Sequence, residues 1–436
     1  MDIIEAATQR IENSSDTLIN IKKLETSMMG ELNNLPAQSS KSKYCICRFP
    51  KRLRDCNERV YKPAMVSIGP LHHGKEALKA MEEHKRRYLQ DFLQRTKVSL
   101  LDYIKLIKEK EERLRNSYVE SIELSSDDFT EMILVDAAFI IEVFWRFLVN
   151  ERQDDEGDHM FNKPQIIRDI SLDIWLLENQ LPFFILEDVF NLSGHDQTIS
   201  FTRLTNEFLK KLWDLEEMPH SVEKNNQSSE ISHLVDFLRS HLQPPELQAK
   251  EKPENLITPS LEDLQSAGIL IKLRSGRNLF DIKFKDGLRL VAGDTEILLK
   301  NLLAFELCHC STPYVNDYII TMSRLVNTKK DENILVNRRI AENLLGENDM
   351  PSFFKSLLKD AYFSADHFYF SGLIEELNSS CDSSWKKWRL QLRRDYFGDP
   401  WAAICVMQAI VLLVLTVIQV VYAIKSSGGS TTAKGN

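Results

Sequence analysis

Apolar residues along this chain recur mostly three and four positions apart, the spacing that gathers side chains on one face of a helix. Leu18, Ile21, Leu24, Met28 and Leu32 form one such stripe, which ends before Asn33-Asn34-Leu35-Pro36. Residues 1–43 therefore read as a polar helical lead-in, a packing helix or weak coiled coil. Residues 41–63 are basic and irregular, with prolines at 50 and 63. Lys75 to Arg95 predicts a helix whose Leu78, Met81, Tyr88, Phe92 and Leu93 share a face. Over 98–120, Leu100, Leu101, Ile104 and Ile107 oppose a charged side. Asp128 with Glu131 reads as a capping box leading into Ile133 to Leu148. That segment is apolar nearly all round, so it is expected at the centre of the fold.

A second apolar segment, residues 166–190, contains Pro182, which cannot sit inside a helix without cost. Two helices broken at Gln180-Leu181 are expected, with Pro182 in the first turn of the second. Residues 215–260 are hydrophilic apart from HLVDFLRSHL at 233–242, and with Pro244-Pro245 and Pro259 they predict an exposed insertion at about 191–260. Only 269–291 reads as extended. There Ile269, Ile271 and Leu273 alternate, then Phe280, Ile282 and Phe284, and Asp286-Gly287 turns the chain before Leu288 and Leu290. A small β-meander is the expectation. Helices resume from Thr295 to Glu375, with Asp331-Glu332-Asn333 as a connection.

From Trp401 to Ile424 run 24 residues without a charged side chain. As a helix this run is about 36 Å long, enough for a hydrocarbon core of about 30 Å. A transmembrane helix over 401–424 is expected, with Trp401 and Tyr422 as interfacial anchors and membrane lipids as its partners. Gln408 and Gln419 share a face and predict a homodimer through the span. Lys386, Lys387, Arg389, Arg393 and Arg394 precede the run, and a short polar tail, 425–436, follows it. This bias predicts a single-pass protein with a cytosolic domain at 44–397, and the length of the run slightly favours the plasma membrane over the endoplasmic reticulum. No signal peptide is visible in the acidic N-terminus MDIIEAATQRIENSSD. The fold class expected is mainly α: a multi-helix globular domain with a small β-meander and one C-terminal transmembrane helix.

Composition narrows the chemistry. A net charge of −9 disfavours nucleic acid as a partner, and only 15 glycines in 436 residues favour helices over phosphate-cradling loops. Seven cysteines, an odd number with one inside the apolar run, are no disulfide framework. Sequons at Asn13, Asn191, Asn226 and Asn378 would be used only by a luminal domain.

The order of motifs resembles a known family. The run CICRFPKRLRDCNERVYKPAMVSIGPLHHGKEALKAMEEHKRRYL at 45–89 is similar to the signature of a plant family catalogued as domain of unknown function 247. So are ILVDAAFIIEVF at 133–144, LDIWLLENQLPFFILEDVF at 172–190, LEDLQSAGI at 261–269 and NLLAFELC at 301–308. YFGDPWAAI at 396–404 and LTVIQVVYAI at 415–424 resemble its closing pattern. Cys47, Phe49 and Leu71 depart from that pattern. The resemblance implies a plant-restricted, membrane-associated protein; some members act in self-recognition between pollen and stigma in grasses.

Candidate chemistry gathers at a few positions. His72 and His73, in the run from Gly69-Pro70 to Lys75, are candidates for a catalytic base or metal ligand, or for a structural role at the start of the 75–95 helix. Glu178-Asn179-Gln180 is a polar triplet in an apolar segment. Glu178 is a candidate acid or base, or else the triplet bonds backbone groups freed at the Pro182 break, with Arg48, Arg52 or Arg54 pairing Glu178. Asp136 and Glu142, in the other apolar helix, pose the same choice, and Pro63 is assigned with Gly69, Pro70, Asp136, Asn179, Gln180 and Pro182 to the structural motif. Cys45-Ile46-Cys47 with Cys308-His309-Cys310 suggests zinc, but a one-residue spacer fits tetrahedral geometry poorly, and no cofactor or metal is expected. No Gly-x-Ser-x-Gly, Gly-x-Gly-x-x-Gly or Walker loop is present. The basic stretch from Lys41 to Lys62 is either a solvated face or a seat for an anionic partner. Two function classes follow: a membrane-held, non-catalytic module for protein interaction or recognition, and an unrecognised hydrolase or transferase built on Glu178 with Asp173 and His72/His73.

Overall fold

The computed structural model describes residues 21–30, 46–49, 60–149, 163–194, 199–213, 231–243, 257–269, 294–338, 349–363, 368–382 and 400–428. The chain divides into two units, Met1–Tyr44 and Cys45–Asn436. In the first, residues 21–30 are helical and Ile21, Leu24, Met28 and Met29 are exposed.

The second unit is helical, and no strand occurs among its described residues. Helix α1 spans Lys79–Thr96, α2 Leu100–Glu109, α3 Glu111–Arg115 and α4 Ser126–Val149. Helices α5 (Pro164–Ile174), α6 (Phe183–Leu192), α7 (Phe201–Trp213), α8 (Leu234–His241) and α9 (Leu261–Ser266) follow. Then come α10 (Asp294–His309), α11 (Tyr314–Leu325), α12 (Lys329–Asn337), α13 (Met350–Leu358), α14 (Ser371–Asp382) and α15 (Pro400–Gly428).

The central position of α4 follows from its apolar circumference. Ala137 through Ile141, with Val143 and Phe144, are wholly buried, and α1, α2, α6 and α7 pack around them. Each such large side chain contributes about 1.5–3 kcal/mol on burial. The cap of α4 lies three residues earlier than expected: Ser125 Oγ accepts from Asp128 N–H at 3.1 Å and donates to the Asp128 carboxylate at 2.6 Å. A second layer sets α10 against α8 and α11, α11 against α13, and α9 against α12 and α14. Asp331 and Glu332 lie inside α12, where Asp331 completes a capping box with Thr328 rather than marking a connection.

Three further expectations are corrected. The break before Pro182 is wider than one peptide: α5 stops at Ile174, and Pro182 is the N-cap of α6. No β-meander is seen. Residues 270–293 lie outside the described residues, and the described start of the alternation belongs to a helix end, since Ile269 N–H bonds Leu264 C=O at 3.0 Å with Gly268 at φ +76°. That is a Schellman-type closure of α9, which explains the apolar residue after the glycine without any strand. Within the 191–260 insertion, α7 buries Phe201, Leu204, Phe208 and Leu209, and α8 buries Leu234, Val235, Phe237 and Leu238.

The transmembrane expectation is also corrected. Among the described residues no helix is long and apolar enough to cross a membrane. The single-pass topology, the cytosolic orientation and the plasma-membrane placement lose their basis with it. So do the anchoring roles of Trp401, Gln408, Gln419 and Tyr422. Gln408, Gln419 and Tyr422 are exposed on α15, and Trp401 lies in its first turn.

Candidate functional site

The chain between α5 and α6 has left its helix, so its backbone groups need partners from elsewhere. Gln180 supplies several. Its Nε2 donates to the carbonyls of Ile174 at 2.6 Å, Leu176 at 2.8 Å and Asn179 at 3.1 Å, and its Oε1 accepts from Leu234 N–H at 3.1 Å. Asn179 reaches outward instead. It accepts from Ile68 N–H at 2.7 Å and donates to Val66 C=O at 3.0 Å and Asp173 C=O at 2.9 Å. Asp173 accepts from three successive N–H groups, those of Ala64 at 2.9 Å, Met65 at 2.6 Å and Val66 at 2.8 Å. Pro63, just before them, is buried and has no N–H to satisfy. Burial pushes the Asp173 carboxyl up to about 6 against the pull of these three donors. An irregular strip, 60–71, is thus held to the α5–α6 break by side chains, where a sheet would use backbone.

Asp136 of α4 continues the strip. It accepts from Gly69 N–H at 2.8 Å and from Lys85 Nζ at 2.5 Å, and Lys85 also donates to Ser67 C=O at 2.9 Å. Burial pushes the Asp136 carboxyl up, against Lys85 and the Gly69 N–H. The same burial opposes the Lys85 charge, yet the Asp136 and Glu82 carboxylates hold it above the usual lysine range. Gly69 has φ +70°, ahead of Pro70, and Tyr118 Oη donates to Gln180 C=O beside it at 3.0 Å. Asn301 of α10 ties in the second layer, accepting from Leu177 N–H and donating to Val60 C=O, both at 3.0 Å.

Glu178 and His72 meet at the far end, both 0% exposed. Glu178 Oε1 accepts from Phe49 N–H at 2.8 Å, and its Oε2 lies 3.3 Å from His72 Nε2. Lys75 Nζ sits against His72 Nδ1. That contact assigns the His72 proton to Nε2, facing Glu178. Burial, opposed by Glu178, keeps His72 below the usual histidine range, so it is a neutral bridge. The adjacent histidines diverge: His73 is half-buried and takes no part in this contact. Arg48 is not the partner of Glu178. It bonds Glu120 at 2.9 Å and Leu71 C=O at 2.6 Å, while Arg52 and Arg54 lie outside the described residues. Glu142 pairs with Arg95 at 2.7 Å and Arg146 at 3.4 Å.

A second cluster lies where the 46–49 arm crosses the end of α10. Cys47 Sγ is 3.4 Å from His309 Nε2, and Cys308 is the next residue in the same turn of α10. The sequence brackets Cys47 with Cys308 and His309, and the fold does bring them together. Cys45 lies outside the described residues, and among these no group of three or more ligands could hold a metal ion. Lys85 and Asn301 give no signal in any single motif, because each acts on partners far away in sequence.

The buried strip offers little to a substrate. Its carboxylates and amides each accept from backbone N–H groups, Asp136 also from Lys85, and Glu178 and His72 are closed off from solvent.

The chain is similar to two Arabidopsis thaliana proteins. It is 27% identical to UPF0481 protein At3g47200 over 440 residues, covering 91% of this chain and 90% of that protein. It is 21% identical to putative UPF0481 protein At3g02645 over 485 residues, covering 88% and 90%. No solved structure matches. The family model described as a plant protein of unknown function, domain of unknown function 247, matches residues 46–415, which takes in the polar strip, both layers of helices and much of α15. The chain belongs to that family.

Proposed function

We propose that this protein is a non-catalytic interaction module. The observation that carries the reading is the use made of its polar motif. Asp136, Asp173, Glu178, Asn179 and Gln180 all accept from backbone N–H groups, and all are buried. A general acid or base needs a free lone pair or proton within reach of a substrate. Groups spent on fixing backbone instead give a rigid frame, on which exposed surfaces are held for a partner. Helix α15 supports the same reading, since Met407, Val411 to Leu415, Val417, Ile418, Val420 and Val421 are all exposed apolar side chains. Contiguous apolar surface of this kind marks a contact with another molecule.

One observation favours the second reading, an unrecognised hydrolase or transferase. Lys75, His72 and Glu178 stand in line, as a proton relay would. The complete burial of His72 and Glu178 weighs against it.

Glu178→Gln separates the two. As a frame residue, Glu178 has only structural work to lose, and the variant melts at lower temperature with no activity to forfeit. A wild-type chain that turns over any member of an ester, amide, glycoside and phosphoester panel, beside a Glu178→Gln chain of unchanged stability that does not, overturns the proposal.

A further inference from the structure

We propose that Cys308 and Cys47 form a thiol–disulfide exchange site for a small disulfide of the glutathione type, with Cys308 as attacking thiol, Cys47 as resolving thiol and His309 as the proton acceptor. The geometry carries this. Cys308 is exposed at the last turn of α10, Cys47 is half-buried on the arm beside it, and Cys47 packs against His309, the residue next to Cys308. His309 Nε2 lies 3.4 Å from Cys47 Sγ. Joining the sulfurs requires them to close to about 2.0 Å.

The electrostatics divide the two roles. The hydrogen bond from Cys47 brings the Cys308 thiol down to about 7, near the value at which a thiol attacks fastest at neutral pH. Cys47 is pushed the other way, first by that hydrogen bond and then by burial and the nearby negative charges, so it keeps its proton while Cys308 is ionised. Burial holds His309 below the usual histidine range, and it is therefore neutral and able to accept a proton. Cys310, two residues on, is pushed up to about 11 by burial and provides an internal contrast.

The steps balance. The Cys308 thiolate attacks one sulfur of the small disulfide; a new S–S bond forms, the old one breaks, and one thiolate leaves. The charge on Cys308 that kept Cys47 protonated is then gone. Cys47 passes its proton to His309, and its thiolate attacks the Cys308 sulfur, releasing the second small thiolate. Two protein thiols are oxidised to one disulfide, and one small disulfide is reduced to two thiols. The product ties the 46–49 arm, whose Phe49 N–H is bonded to Glu178, to the end of α10.

The test uses the full chain, oxidised glutathione at pH 7, alkylation and peptide mass spectrometry. In the untreated wild type, iodoacetamide should label Cys308 at least ~10-fold faster than Cys310, a measurement that needs no variant. With oxidised glutathione the wild type should yield a Cys47–Cys308 cross-linked peptide. Cys47→Ser should accumulate glutathione on Cys308, and Cys308→Ser should leave Cys47 reduced. His309→Asn should slow cross-linking several-fold while first-step glutathionylation of Cys308 keeps its rate, a split that loss of packing alone would not give. Equal labelling of Cys308 and Cys310, or glutathione that stays on Cys308 in the wild type without a cross-link, overturns the proposal.

Discussion

A Cβ built on Gly69 would stand 2.5 Å from the carbonyl oxygen of Gln180. The two residues face each other where the polar strip meets the α5–α6 break, and no side chain fits between them. Two constraints coincide here, because Gly69 also has φ +70°, a left-handed conformation that costs other residues energy. The obstacle is backbone, so it cannot rotate away. Gly69→Ala is expected to destabilise the fold by about 2–4 kcal/mol, read by urea denaturation. A loss below 1 kcal/mol, on the order of an ordinary surface change, would show that the strip is not held against the break as described.

The Lys85–Asp136 pair should behave as one unit. Replacing Lys85 by Met leaves a buried carboxylate with a single remaining N–H donor, and a cost of about 3–5 kcal/mol is expected. Asp136→Leu leaves the ammonium with Glu82 at 2.7 Å and Ser67 C=O at 2.9 Å, and a smaller cost is expected. The double variant should be less damaging than the sum of the two by more than ~1 kcal/mol, since neither charge is then left alone. Simple additivity across the cycle is the outcome that removes the pairing.

Asp317 offers a pH-dependent test. It accepts from Tyr369 N–H at 2.7 Å, and burial, against this hydrogen bond and that from Asn316, pushes its carboxyl from 3.8 up to about 6. The folded chain therefore holds this proton more tightly than the unfolded chain. Its contribution to stability is complete below the unfolded value and is lost as pH rises through the folded one. Asp317→Asn does not titrate in that window. The stability advantage of wild type over the variant should shrink as pH is raised from about 4 to about 6.5, measured by melts at matched ionic strength. A difference that grows with pH reverses the sign of the shift.

Phe208 tests where the insertion begins. Its ring lies 4.1 Å from that of Phe144, 4.8 Å from Phe147 and 6.4 Å from Trp175. Phe208→Ala should cost about 3–5 kcal/mol, the range for truncating a core aromatic. A near-neutral result in denaturation would return α7 to the surface.

Legibility from sequence followed the range over which each force acts. Helix α4 was readable because its burial is written into its own residues, apolar on every side. The cap at its start lies at Ser125, not Asp128, because Asp128 suits either the cap or the first turn behind it, and only the Ser125 hydroxyl decides. The alternation from Ile269 looked like a strand because its first apolar residue, which closes α9 behind Gly268, falls in step with the residues that follow. The uncharged run at 401–424 is plain in the letters, but among the described residues it does not amount to a membrane-crossing helix. Asp173, Glu178 and Asn179 stood out as polar residues in apolar company. Their partners did not, since Ile68 N–H and Asn179 Oδ1 are 111 positions apart and no local pattern encodes such a contact.

The bond from Asn301 to Val60 spans 241 positions, and it sets a schedule for synthesis. At translation rates of about 5–20 residues per second, roughly 12–48 s separate the emergence of Val60 from that of Asn301. Throughout that interval the nascent arm carries backbone groups and core residues whose final neighbours do not yet exist. Completion of this fold is therefore a late event in the life of the ribosome-bound chain, and the Val60 carbonyl waits for its partner through that whole interval.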